Sequence, residues 1–229
     1  MNRKIPTPDP ISLGNLLFYH GKGVFHFRYL SEMKLIRSPY RLLGLPLICV
    51  FLLFGCSKNR NLHPVTIKEF KEFVDRTNYV TDAEKFGWSF VQNDIFDFEI
   101  QEGVNWKNPN GKNTIEDDLP VTQVSYNDAM AYCEWSNTSL PKYEEYWKMV
   151  KKDPRKININ SNGIIPVEET NIVGNVWDIT TTENKKGEVR LAGGSYLCSE
   201  DTCNGTHPKR KLFVDKTTGN SNIGFSVLK

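Results

Sequence analysis

Three stretches of the chain repeat their apolar residues at the spacing of an amphipathic helix. The first begins with Thr66 and Glu69, which have the spacing of a capping box, and its apolar face continues to about Thr77. The second begins with Ser125 and Asp128, a similar box with a shorter acid. In the third, the apolar residues fall at i, i+3, i+4 and i+7, at Tyr143, Tyr146, Trp147 and Val150. These patterns predict three helices.

Short apolar runs bounded by turn residues predict strands over 177–182, 189–192 and 223–228. The stretch 104–111, with sequence VNWKNPNG, is typical of a loop. Few regular elements and many loops predict an irregular α+β domain. In such a domain we expect the functional residues on loops that a rigid scaffold positions.

The N-terminal part of the chain has the pattern of an export signal. Basic residues follow Met33 and precede an apolar run over 42–54, which has signal-peptide length and is short for a bilayer span. The run ends in Gly55 and Cys56, a small residue followed by cysteine, which resembles a bacterial lipobox. We therefore expect acylated Cys56 to anchor the protein to a membrane of the cell envelope. A plain membrane anchor with an incidental cysteine is the alternative.

This interpretation divides the chain into four parts. Residues 33–55 are the predicted lipoprotein signal peptide, 56–63 a lipid-attached polar tether, and 64–229 one folded domain. Residues 1–32 fit none of these and form no predicted domain, so we expect translation to start at Met33.

The composition indicates a globular core, since 39% of residues are hydrophobic and 12% aromatic. The net charge of +2 belongs to the whole chain and differs from the charge of the predicted domain. The first 55 residues hold seven of the 29 basic residues and two of the 27 acidic ones. The remaining 22 basic and 25 acidic residues give the rest of the chain a charge of about −3, which gives no support for a nucleic-acid partner.

Three of the five cysteines, Cys133, Cys198 and Cys203, lie in the predicted domain. Cys198 and Cys203 have C-x4-C spacing directly after a Gly-Gly-Ser turn. Two thiolates so placed can hold Cu(I), a soft metal, or close a disulfide, and the spacing leaves both open. Zinc fits less well, because a structural zinc site needs four ligands and the sequence has no second pair.

A second candidate site is the glycine-containing loop at 171–178. Asn171, Gly174, Val176 and Asp178 follow the pattern N-x2-G-x-V-x-D. An amide oxygen, two backbone carbonyls and a carboxylate are hard ligands suited to calcium. A glycine turn with a solvated Asn and Asp is the alternative, and the residues alone favour it.

Four blocks of the sequence together resemble the formylglycine-generating enzyme (sulfatase-modifying factor) family. They stand in the family's order and cover most of the chain after residue 65, at 65–91, 119–150, 171–179 and 191–225. The resemblance implies an irregular, loop-rich fold related to C-type lectin folds. It also implies an oxidase that converts a cysteine of a sulfatase to formylglycine, using molecular oxygen and copper.

The resemblance also implies roles for single residues. Cys198 and Cys203 match the family's paired active-site cysteines, which implies Cu(I). Ser195 and Trp177 match positions that line the active site, and Ser195 is implied to donate or accept a hydrogen bond near the reacting thiol. Without the resemblance they are a serine in a turn and a core tryptophan. The 171–178 loop matches a structural calcium site.

The chain departs from the family pattern at several points. Only about eight residues separate Cys56 from Val65, so we expect the strands that open the family's domain to be missing and the domain to be shortened at its N-terminal end. Residues 151–170 replace a long segment, and 204–208 replace an arginine-rich stretch that shapes the substrate groove. The cysteine that pairs with Cys133 in some members is absent, so we expect Cys133 to be a buried free thiol.

Three hypotheses follow. The first is a copper-dependent oxidase in the cell envelope that acts on a cysteine of a sulfatase-class protein. The second is a non-catalytic, lipid-anchored binding or scaffold module of the same fold. The third is a truncated product with an uncovered sheet edge. The retained cysteine pair favours the oxidase.

Overall fold

The computed structural model describes residues 60–111, 116–199 and 205–229. The described residues form four helices, which are α1 (Ile67–Thr77), α2 (Asp82–Phe86), α3 (Tyr126–Ser136) and α4 (Tyr143–Val150). They also form eight strands, which are β1 (Leu62–Pro64), β2 (Trp88–Asp94), β3 (Asp97–Glu102), β4 (Trp177–Glu183), β5 (Val189–Ala192), β6 (Phe213–Val214), β7 (Ile223–Gly224) and β8 (Ser226–Leu228). Residues 104–111 lie outside these elements, as expected of a loop.

Local signals in the sequence set the helix starts. The backbone N–H of Glu69 donates to the Thr66 hydroxyl at 3.2 Å, and the Glu69 carboxylate accepts from the Thr66 backbone. Ser125 begins α3 with the same reciprocal bonds. The three predicted helices are therefore confirmed as α1, α3 and α4. Helix α2 was not predicted, although Thr81 begins it with a further capping box.

Strands β4 to β7 form one sheet in the order β6-β5-β4-β7, in which β4 pairs antiparallel with β5 and parallel with β7. The strands predicted over 177–182 and 189–192 are confirmed as β4 and β5. The strand predicted over 223–228 is two strands, β7 and β8, interrupted at Phe225. The ring of Phe225 is buried in the core, and its carbonyl accepts a hydrogen bond from Val65.

The tether expected over 56–63 overlaps strand β1. Leu62 and His63 pair antiparallel with Leu228 and Val227, because β1 pairs with β8. A short strand therefore precedes α1 and covers an edge of β8, so the expectation that no strand precedes residue 65 is wrong. The predicted signal peptide and Cys56 lie outside the described residues. Within the part of the chain that the structure describes, no helix has the length and apolar content to cross a bilayer.

Two hydrophobic clusters hold the domain together. In the larger one, α1 packs against α3 through edge-to-face and stacked rings of Phe70, Phe73 and Tyr132, at centroid distances of 5.4–6.1 Å. Such pairs add roughly 0.5–1.5 kcal/mol each beyond burial. The smaller cluster packs α4 against the loop before β4 and the end of β5, through residues that include Tyr146, Ile172 and Ala192. It fixes the two chain segments that carry the predicted site residues.

Cys133 lies on α3 and is a buried free thiol, as expected. Burial raises the pKa of this thiol to about 11, despite hydrogen bonds that act in the opposite direction. Because the thiolate is the reactive form, Cys133 is an unreactive part of the core at neutral pH.

Candidate functional site

The sharp turn after β5 positions two of the predicted active-site residues. Gly193 and Gly194 have φ values of +89° and +77°, a region that glycine adopts at little cost. A Cβ on Gly194 would lie 3.1 Å from the backbone of Gly205, so the chain passes too closely there for a side chain. The turn delivers Ser195 and Cys198 to the end of the sheet, next to Trp177 at the start of β4.

Ser195 and Cys198 are joined by two hydrogen bonds within this turn. The Ser195 backbone N–H donates to the Cys198 sulfur at 3.4 Å, and the Cys198 N–H donates to the Ser195 carbonyl at 2.8 Å. The Ser195 hydroxyl accepts from the side-chain amide of Asn222 at 3.2 Å. All three side chains are buried.

Trp177, Ser195 and Cys198 line one cavity of about 410 Å³. Its walls are largely apolar. Residues from β2, β3, β5, β6, β7 and the loops around them complete it: Phe90, Gln92, Ile95, Phe96, Phe98, Leu191, Leu197, Arg210, Leu212, Val214, Asn220, Asn222 and Ile223. The volume is typical of a site for a small ligand or a few side chains of a larger one. The structure thus brings three of the four predicted active-site residues together.

The fourth, Cys203, lies outside the described residues. The Cys198 sulfur is part of a disulfide in this structure. Two thiolates at this position would suit Cu(I), but a disulfide offers no thiolate ligand. The donor set therefore fits copper only after reduction of the Cys198 disulfide.

The predicted calcium ligands lie on the loop before β4 and on β4 itself. The side-chain oxygen of Asn171 accepts from the Val173 N–H at 2.9 Å, and its NH2 group donates to the Asp153 carbonyl at 3.0 Å. Gly174 has a φ of +94°, and a Cβ there would overlap the side chain of Ile157. Asn171 is buried, so the alternative of a solvated asparagine is wrong.

Asp178 is also buried, on β4. Burial raises the pKa of Asp178 to about 7, although hydrogen bonds from the hydroxyls of Ser226, at 2.6 Å, and Tyr146, at 3.1 Å, act in the opposite direction. A buried carboxylate is costly unless a cation or enough donors compensate it. None of the ion pairs among the described residues includes Asp178.

Asn171, Val176 and Asp178 line a small void of about 10 Å³, room for a single atom. Apolar side chains, including Val167, Ile172 and Phe225, form much of its lining. The Asn171 oxygen and both Asp178 oxygens already accept hydrogen bonds, so a hard cation such as calcium would have to share them with these donors. No cluster of three or more His, Cys, Asp or Glu side chains suited to a metal occurs in the described ranges. A site here depends on backbone and amide oxygens as well as on Asp178.

Comparison with known proteins places the chain in a family. The family model described as "Sulfatase-modifying factor enzyme 1-like domain" matches residues 61–151. The formylglycine-generating enzyme of Thermomonospora curvata is 30% identical over 62% of this chain and 72% of its own length. The chain belongs to the formylglycine-generating enzyme family.

Relatives within this family differ in activity. The bovine formylglycine-generating enzyme is 28% identical over 71% of this chain and 63% of its own length, so the chain spans less than two thirds of it. The bovine protein named inactive C-alpha-formylglycine-generating enzyme 2 is also 28% identical, over 72% of this chain and 74% of its own length. The sequence identity of this chain to a relative named as inactive therefore equals its identity to a relative named as an enzyme, so identity does not show which of the two it resembles in activity.

The fold prediction is confirmed by a solved structure as well. PvdO from Pseudomonas aeruginosa superposes with a TM-score of 0.53, over 72% of this chain and 77% of its own, at 13% identity. At that identity the likeness shows the fold alone. The irregular α+β architecture of the family is the architecture of this chain.

Sequence reasoning missed two parts of this family site. Asn222 was not proposed, although it touches Ser195 and lines the cavity. Its side-chain oxygen has no hydrogen-bond partner in the described structure. The hairpin β2–β3 was not predicted either, yet Phe90 and Phe98 form one wall. The alternation of polar and apolar residues in DFEIQE, at 97–102, was the available signal for β3.

Proposed function

We propose that this chain is an oxidase that converts a cysteine of a sulfatase-class target protein to formylglycine. The observation that carries the proposal is the shared cavity of Trp177, Ser195 and Cys198, with the Ser195 N–H directed at the Cys198 sulfur. Membership of the family supports it, since the relatives named above include formylglycine-generating enzymes.

Each of these residues has a task in the proposal. Cys198 and Cys203, as reduced thiolates, hold Cu(I). Copper, when bound, supplies the means to activate oxygen. The Ser195 N–H stabilises negative charge on Cys198, and the Ser195 hydroxyl, oriented by Asn222, holds the substrate sulfur by a hydrogen bond. Trp177 and the apolar walls keep bulk water from the reacting groups.

Because Cys198 is part of a disulfide, the proposed activity requires that this bond is first reduced. We take Cys203 as its partner, because four residues between two cysteines in a loop allow the sulfurs to meet. The oxidised protein is then inactive, and a reductant of the thiol class must open the bond before copper binds.

Two further parts of the proposal concern the rest of the chain. Asn171, Gly174, Val176 and Asp178 hold a structural calcium, which the buried carboxylate of Asp178 and the one-atom void favour. The sequence over 42–56 supports a lipid anchor at Cys56 and a place in the cell envelope.

A binding module without catalysis is the second candidate. Two observations favour it, the disulfide at Cys198 and the similarity to a relative named as inactive. In this alternative the cysteines close a loop, and the cavity binds a partner's side chains without converting them.

A copper titration separates the two candidates. The full chain, with Cys49→Ser and Cys56→Ser to remove the two thiols of the predicted signal peptide and anchor, is reduced and titrated with Cu(I) in detergent without oxygen, against a competing chelator. We expect one tightly bound copper per chain, lost in Cys198→Ser and in Cys203→Ser. The buried thiol provides the control, since Cys133→Ser should bind copper as before.

The same variants are then incubated with oxygen, thiol reductant and a sulfatase peptide that contains one cysteine. Mass spectrometry should detect formylglycine with the chain that retains both cysteines and none with either single variant. Equal, weak copper binding by all variants would leave the binding module as the function.

A further inference from the structure

A continuous row of aromatic rings runs from the end of α2 along one face of the β2–β3 hairpin. The ring centroids of Phe86 and Trp88 lie 5.6 Å apart, those of Trp88 and Phe90 5.7 Å, and those of Phe90 and Phe98 5.7 Å. We call these four residues the aromatic ladder. Ile100 lies opposite Phe90 in the strand register and extends the apolar surface.

This surface is open to solvent. Phe98 is 60% exposed and Ile100 58%, and Phe96 at the hairpin turn is 79% exposed. Single exposed apolar residues are ordinary on proteins, but a contiguous exposed patch marks an interaction surface. In the described ranges, β3 pairs with β2 alone, so its outer edge offers backbone groups to a further strand.

The charges of the hairpin indicate what kind of strand it accepts. Residues 88–102 include four acidic residues, Asp94, Asp97, Glu99 and Glu102, and no basic residue. Side chains alternate between the two faces of a strand, so Asp97 and Glu99 lie on the face opposite Phe98 and Ile100. A complementary strand beside β3 therefore places apolar side chains next to Phe98 and Ile100 and basic ones next to Asp97 and Glu99.

We propose that the outer edge of β3, with the exposed side chains of Phe98 and Ile100, docks an extended segment of a partner protein in which apolar and basic residues alternate. The segment adds to the hairpin as a third strand, with backbone hydrogen bonds for affinity and the two faces for specificity. A second copy of this chain fits poorly, because two hairpins with four acids each repel one another. Anionic lipid headgroups are repelled for the same reason.

The docking surface is continuous with the cavity that contains Cys198, since Phe98 belongs to both. If the proposed oxidase function holds, the docked segment belongs to the target protein and holds its cysteine near the cavity. The docking itself does not depend on that function. It can therefore be tested with peptides that contain no cysteine.

The test uses the full chain in detergent and a short labelled peptide that alternates lysine with valine, with fluorescence anisotropy as the readout. We expect saturable binding that is at least about tenfold tighter than for a peptide of the same composition with the lysines and valines in separate blocks. A peptide that alternates glutamate with valine should not bind.

Backbone pairing gives a sharper test. Only alternate N–H groups of an added strand face its neighbour. Of two peptides, one N-methylated on its lysines and one on its valines, we expect one to lose binding and the other to keep it. Equal effects of the two methylations would show that no strand is added and would overturn the proposal.

Variants of the chain locate the site. Glu99→Lys should weaken binding roughly fivefold or more, since it replaces attraction by repulsion, and Phe98→Ser should weaken it similarly. Glu134→Lys and Met130→Ser are the matched controls, because both residues are exposed on α3, away from the hairpin. The proposal is wrong if the controls act like the hairpin variants, or if the chain forms a dimer that Phe98→Ser disrupts.

Discussion

The side-chain amide of Asn222 donates a hydrogen bond to the hydroxyl of Ser195 across 27 residues of sequence, at 3.2 Å. Parallel pairing of β4 with β7 makes this contact, since Trp177 pairs with Ile223 and the Trp177 N–H donates to the Asn222 carbonyl. The serine beside the Cys198 sulfur is thus held by a residue of the turn before β7. Asn222 is a positioning residue for Ser195.

Replacing Asn222 tests this role. Asn222→Ala removes one hydrogen bond and also an unpartnered buried oxygen, so the free energy of unfolding should change by less than about 1 kcal/mol. Formylglycine production should fall roughly tenfold, because the Ser195 hydroxyl loses its fixed orientation. Thermal unfolding and mass spectrometry of the peptide product measure the two effects. If Asn222 acts through Ser195, the double variant with Ser195→Ala is no slower than Ser195→Ala alone.

Alanine substitutions at two glycines with positive φ form a matched pair that tests how a close contact affects the free energy of unfolding. A Cβ on Gly193 would overlap the Tyr146 hydroxyl, whereas a Cβ on Gly187, with a φ of +80°, would meet nothing within 4 Å. Gly187→Ala should therefore lower the free energy of unfolding by only about 1 kcal/mol, the cost of holding alanine at a positive φ. Gly193→Ala should cost at least about 2 kcal/mol more, because Tyr146 must move in a full core. Urea unfolding of both variants checks this, and equal losses would contradict the close approach.

Calcium should stabilise the protein if the 171–178 loop holds it. At a free calcium concentration of about 100 times the dissociation constant, the gain in the free energy of unfolding is about 2.7 kcal/mol. Asp178→Asn should abolish this gain while the variant stays folded without calcium, since it removes a buried charge. Thermal unfolding with calcium, magnesium or a chelator measures the effect. A gain that Asp178→Asn retains would place the calcium elsewhere.

Acid should weaken the contact between α1 and the C-terminal strand through Glu69. Burial favours a higher pKa for Glu69, but hydrogen bonds from His63, Lys229 and the Thr66 backbone outweigh it and lower the pKa from 4.5 to about 2. The unfolded chain thus takes up this proton at a higher pH than the folded one. The stability from Glu69 is present above about pH 4.5 and is lost as the pH falls toward 2.

The measurement compares wild type with Glu69→Gln across this range. Near neutral pH, wild type should be more stable by about 2 kcal/mol, a figure reduced for partial solvent exposure of the carboxylate. The difference should shrink as the pH falls below about 4.5 and approach zero near 2. A difference that is independent of pH would mean that Glu69 contributes through packing and not through charge.

Local signals explain which parts of the fold the sequence predicts. Thr66 and Ser125 start helices by bonds to residues three positions on, so short-range patterns suffice to find α1 and α3. Thr81 makes the same bonds, but α2 has five residues, too few for an apolar period to show. The break at Phe225 was unpredictable because it depends on where the ring packs among Phe70 and Tyr132.

The candidate site likewise contains residues that the sequence predicts and residues that only the folded structure reveals. The resemblance to the family predicts Trp177, Ser195 and Cys198 as site residues. The structure places them on one cavity, and their chemical roles are predictions. The sequence does not predict Asn222 as a site residue, because its contact with Ser195 requires strand pairing between distant segments. The burial of Asn171 is not predicted for a similar reason. Its side-chain amide donates hydrogen bonds to backbone carbonyls of another loop, at Asp153 and Arg155.

The pairing of β1 with β8 has a consequence for how the protein is made. Leu62 pairs with Leu228, and Asn61 exchanges two backbone hydrogen bonds with Lys229. During synthesis, β1 leaves the ribosome long before its partner exists and must wait until every residue in between has emerged. Closing so long a loop is slow, so the domain completes its folding only after translation has passed β8. Until then Val65, which is fully buried in the folded domain, lacks its hydrogen bond to Phe225 and stays exposed to non-native contacts.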